Sequence, residues 1–150
     1  LKVGKMIEEA REAIKNSSKT SSVYIGCDSV RFKTSKGFSA RYSTVIVLHM
    51  DSKRGCKLFH NTVVLDDYGN LKQRLLNEVM FAINAATEVI DVIGDRHMEI
   101  HLDINTNAKH KSSVAVKEAL GYVRGSLNME PKLKPYSFAA THAADYLTKN

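Results

Sequence analysis

At 150 residues, 43% hydrophobic and 25% charged, the chain has the length and makeup of one packed domain and not of a disordered segment. Two cysteines exclude a disulfide framework, while a net charge of +6 and a pI of about 9.3 favour an anionic partner, nucleic acid first. No apolar run is long enough to cross a bilayer and the N-terminus lacks a signal-peptide core, so the expectation is a cytoplasmic protein with no membrane partner, monomer or dimer.

The first predicted element is an amphipathic helix from Lys2 to about Lys15, because Val3, Met6, Ile7, Ala10 and Ile14 recur at spacings of three and four. A polar loop over residues 16–21 follows it. Val23 and Ile25 then mark a buried strand that ends near Cys27, itself a small buried hydrophobe, and leaves Asp28 at the strand's mouth. Residues 31–37 read as a basic connection closed by Gly37. A second strand from Phe38 to Met50 and a third from Lys57 to Leu65 are joined by a short turn, which favours antiparallel neighbours.

Asn70 is a ready N-cap for a long helix from about Leu71 to Ile93. Leu75, Leu76, Val79, Ile83, Ala86, Ile90 and Ile93 make its buried stripe. In the next strand Ile100, Leu102 and Ile104 alternate with Glu99, His101 and Asp103. A helix from Val114 to about Leu127, a short edge strand around Lys132 to Pro135, and an Ala-rich helix from Ser137 to Thr148 complete the chain. The order implies an α/β fold with a mixed sheet and helices packed on it: residues 1–20 as an N-terminal helix and linker, residues 21–150 as the main domain.

Four carboxylates stand out. Asp28 and Asp103 follow or close apolar strands, and Asn105 shares the Asp103 face. Glu78 lies at the shoulder of the long helix's apolar stripe, with Leu71, Ala82, Ala85 and Val89. Asp145 follows the small residues Ala143 and Ala144, and His142 shares its helix face. Each taken alone also has an ordinary reading: a turn acid for Asp28, a strand-face acid for Asp103, a border acid for Glu78 and a surface acid for Asp145. Brought together, they would repel one another unless a cation neutralised them, and hard oxygen donors suit Mg²⁺ or Mn²⁺.

The stretches Tyr24-Ile25-Gly26-Cys27-Asp28-Ser29, Ile100-His101-Leu102-Asp103-Ile104-Asn105 and Lys134-Pro135-Tyr136-Ser137-Phe138-Ala139-Ala140, running on to Ala144-Asp145, resemble the ribonuclease H-like superfamily over about Val23 to Leu147. The likeness is nearest a poorly characterised bacterial and phage branch of ribonuclease H-related nucleases. It implies a five-stranded mixed sheet, three antiparallel strands and then parallel crossovers, flanked by helices. It also implies a site in which Asp28, Glu78, Asp103 and Asp145 hold two Mg²⁺ or Mn²⁺ ions for phosphodiester hydrolysis of RNA, DNA or a hybrid. His142, on the Asp145 helix face, reads either as an aid to proton transfer or product release or as a helix-surface histidine. A nucleic-acid-binding module with weak or lost catalysis is the alternative on the same fold.

Basic residues cluster near these acids in sequence. Arg31, Lys33, Lys36 and Arg41 follow Asp28, Lys109 and Lys111 follow Asp103, and Lys134 precedes the last helix. With Asn105 they are the candidate nucleic-acid contacts, since phosphate contacts give affinity and position without reading sequence.

Overall fold

The computed structural model describes residues 4–52, 55–107, 109–134, 136–137 and 139. Strands β1 (Ser22–Thr34), β2 (Gly37–His49) and β3 (Cys56–Asp66) form an antiparallel meander. β1 does not end near Cys27. It pairs with β2 from Ser22–His49 to Thr34–Gly37, so Arg31, Phe32 and Lys33 are strand residues and the connection is only Ser35–Lys36. Backbone pairing needs no apolar side chains once a hairpin runs clear of the helix layer, which is why burial periodicity missed this half of the strand. Gly37 adopts a φ of 134°, a conformation that a side chain would strain.

Helix α1 (Lys5–Asn16) and helix α2 (Leu71–Ile93) pack on one face of the sheet. Ile7, Ala10 and Ile14 place the apolar side of α1 in the common core, and Arg11 holds the Asp91 carboxylate of α2 through two hydrogen bonds of 2.5 and 2.9 Å. The Asn70 side chain accepts from the Gln73 backbone N–H at 3.0 Å, capping α2 where the sequence predicts it. The buried stripe of α2 keeps Leu75, Val79, Ile83, Ala86 and Ile93 from the predicted one and is displaced toward one shoulder. It adds Glu78, Ala82, Ala85 and Val89, whereas Ile90, predicted inside, is exposed. The small alanines let the helix lie close to the sheet, and this displacement carries Glu78 inward.

β4 (His97–Asn105) returns parallel to β1, and β5 (Lys132–Lys134) lies parallel to β4 at the sheet's edge, giving the order β3-β2-β1-β4-β5. Between β4 and β5 runs helix α3 (Val116–Leu127), entered through a 3₁₀ turn, Lys111–Ala115, that includes the predicted first residue Val114. Val23, Ile25, Cys27, Ile100, Leu102 and Ile104 face the helices. Tyr24, Val45, Val47 and Leu58 face the other way and form a smaller cluster with Ala139. The predicted last helix from Ser137 to Thr148, with His142 and Asp145, lies outside the described residues beyond Ala139. Among the described residues no helix is long and apolar enough to cross a membrane.

Candidate active site

The parallel pairing of β1 with β4 stops at Gly26–His101. Asp28 and Asp103 each lie two residues further on, so alternation puts both on the sheet face of Tyr24. Asp28 is therefore held inside a continuous strand, not at a strand's end. Ser29, next along β1, faces the helices, and its hydroxyl donates to the Glu78 carboxylate. Glu78 is only 5% exposed, so it is a buried acid and not one on the border of its helix.

Burial, reinforced by Asp28 and Asp103, pushes Glu78 up to about 8 against the opposing Ser29 hydrogen bond. Asp28 is also raised, by burial first and then by Asp103, while the Ser29 N–H that donates to its Oδ1 at 2.9 Å holds it down. Three acids from β1, α2 and β4 thus feel one another's charge. Two cations border them. Lys134 Nζ lies 2.5 Å from Asp103 Oδ1, and Arg74, one helical turn before Glu78, acts on both Asp28 and Glu78. The Arg74 Nε is buried and has no hydrogen-bond partner among the described residues.

The donor set fits a hard divalent cation in its chemistry, being all oxygen, acidic and mutually repelling. Among the described residues no group of three or more His, Cys, Asp or Glu side chains is gathered as a metal cage. Lys134 supplies positive charge at Asp103 instead.

The predicted basic contacts divide between two faces. Arg41 pairs with Val30 across the ladder and stacks over Phe32 at 5.3 Å, on the Asp28 face. Arg31 shares the Ser29 face, where it lies 3.7 Å over the Phe38 ring and bonds Asp67 at 2.5 Å. Lys33, Lys36, Lys109 and Lys111 are exposed. Asn105 uses its side-chain oxygen to accept the Asn107 N–H at 2.8 Å, shaping the turn after β4.

Three residues near this site escaped the sequence reading. Ser29 carries a signal in retrospect, since the neighbour of a strand acid points to the opposite face. Arg74 carries another, four residues before Glu78 on the same helix. His101 carries none, because a strand histidine looks solvent-facing, yet it is 2% exposed. Its Nδ1 accepts the Ala139 N–H at 3.1 Å, so Nε2 bears the proton and donates to Glu99 Oε1 at 2.8 Å. Burial lowers the His101 pKa despite Glu99. This imidazole ties the beginning of the C-terminal segment to the sheet face that carries Asp28 and Asp103. Cys27, buried as predicted, has its thiol pushed up to about 12 by burial and is inert as a nucleophile.

A family model described as Ribonuclease H-like matches residues 5–149. No curated protein and no solved structure matches the chain. The five-stranded mixed sheet, its flanking helices and the additional α1 have the ribonuclease H-like topology, and the chain belongs to the ribonuclease H-like family.

Proposed function

We propose that this chain binds nucleic acid along the outer half of β1 and the end of β4, beside Asp28 and Asp103. The observation that supports this most is where its cations fall. In a protein of net charge +6, Arg41 with its Phe32 partner, Lys33 and Lys36 extend beyond Asp28, and Lys109 and Lys111 beyond Asp103. Exposed lysines would hold phosphates, and Phe32 with Arg41 would offer a stacking surface on the Asp28 face. The test is fluorescence anisotropy with labelled single-stranded, double-stranded and hybrid oligonucleotides in chelator. Binding to at least one class, weakened by combined alanine substitution of Lys33, Lys36 and Arg41, is the expected result. No binding to any class would remove the proposal.

Metal-dependent phosphodiester hydrolysis is the second reading, favoured by the raised carboxyls of Glu78 and Asp28. Asp28, Glu78 and Asp103 would hold Mg²⁺ or Mn²⁺, with Asp145 completing a two-ion set and His142 assisting proton transfer. Divalent ions bound there would promote attack of water on phosphorus and steady the departing oxygen. This chain's own part would be to hold Glu78 buried and hydrogen-bonded by Ser29, with Asp28 and Asp103 near enough for their charges to act on it. Incubating the same oligonucleotides with Mg²⁺, Mn²⁺ or chelator separates the readings. Cleavage that needs the metal and disappears in Asp28→Asn or Asp103→Asn supports hydrolysis, and binding without cleavage leaves the first reading alone.

A further inference from the structure

Lys134 was a candidate phosphate contact by sequence, but its ammonium is engaged elsewhere. Its Nζ lies 2.5 Å from Asp103 Oδ1, and Asp28 and Glu78 act on it as well. The backbone explains the reach. β5 pairs Lys132 with His101 and Lys134 with Asn105, so it advances two residues while β4 advances four. That irregularity sets Lys134 beside Asn105, two residues past Asp103, with the Asp103 carboxylate within reach of its ammonium. The pair is not sealed: Lys134 is 45% and Asp103 33% exposed at the side chain. A lysine on a flexible four-carbon stem, half in solvent, can leave an ion pair without disturbing the strand that carries it.

The structure assigns Lys134 the role of a built-in counter-ion, one that occupies Asp103 while no divalent metal is bound and competes with such a cation for the Asp103 carboxylate beside Asp28. One positive charge and a doubly charged ion compete for the same carboxylate oxygens. Once displaced, the ammonium stands at the pocket's rim, placed for a phosphate oxygen of a bound strand. Lys134 is thus a positioning residue that sets metal affinity. The inference rests on the metal-holding reading of the pocket and not on catalysis.

The test is isothermal calorimetry of the full chain with Mn²⁺ alone, comparing it with Lys134→Gln and Lys134→Arg. Removing a unit charge within salt-bridge distance should tighten Mn²⁺ binding by at least about tenfold in Lys134→Gln. Lys134→Arg keeps the charge and should bind as weakly as the unaltered chain. Thermal denaturation gives a second readout: in chelator Lys134→Gln should melt below the unaltered chain, and Mn²⁺ should raise its melting point by more. Equal Mn²⁺ affinity in all three proteins, tight binding by Lys134→Arg, or no binding by any of them overturns the inference. In the last case oligonucleotide binding measured in chelator would still stand, so failure here is separable from failure of the nucleic-acid proposal.

Discussion

At Glu78 two physical effects act in one direction. Burial removes water from the carboxyl, and Asp28 and Asp103 add negative charge nearby, so its pKa rises from 4.5 to about 8. An unfolded Glu78 loses its proton near the ordinary value, whereas the folded one keeps it to about 8. The folded state therefore binds more protons across this window, and linkage makes its stability fall as pH rises. This contribution is fully present below the unfolded value and is lost as pH climbs through the folded one. In chelator, urea midpoints should decline between roughly pH 5 and 8. Glu78→Gln, which is neutral throughout, should flatten that decline. An unchanged pH profile in Glu78→Gln would show that the carboxyl does not titrate high. Ser29 belongs to the same account, because its hydroxyl is what partly offsets the cost of an ionised Glu78.

Among the elements, α2 does most to assemble the site, since it sets the depth of Glu78 and the reach of Arg74. Its start is fixed by Asn70, whose side chain accepts the Gln73 N–H in the helix's first turn. Asn70→Ala should cost about 1 kcal/mol of stability in urea unfolding, with Asn70→Ser close to neutral. If the cap matters no more than an exposed surface residue, the two variants will be indistinguishable. The β1–β2 hairpin teaches a different lesson. Its inner half is apolar and its outer half carries Arg31, Phe32 and Lys33, yet both halves belong to one ladder. Composition marks where a strand is buried, and hydrogen bonding decides where it ends.

Over the whole molecule, positive charge spreads along the ends of β1 and β4 while the carboxylates sit between them. Contacts of this kind release counter-ions on binding. With roughly five phosphate contacts, the logarithm of oligonucleotide affinity should fall against the logarithm of salt with a slope of about −4. Replacing Lys36 by alanine should reduce that slope by about one for every sequence tested. A slope near zero would mean that these lysines are only solvated surface. The fold itself holds regardless of such changes, because its core of Ile14, Ile25, Ile46, Val79 and Ile100 lies away from them.

The amino-acid pattern by itself determined the order of elements from α1 to β5, the span and cap of α2, the brief β5 edge and the acids on β1 and β4, because periodicity and capping are local properties of a chain. It placed Leu75, Val79, Ile83, Ala86 and Ile93 of α2 inside but did not fix the edges of that buried face. Packing extended the buried face to Ala82, Ala85 and Val89, leaving Ile90 out and bringing Glu78 in. The bond of His101 to Ala139 and the contact of Lys134 with Asp103 were likewise decided in three dimensions. Both join residues from different elements, and in both the governing quantity is how far a side chain reaches across a register that only the assembled sheet defines.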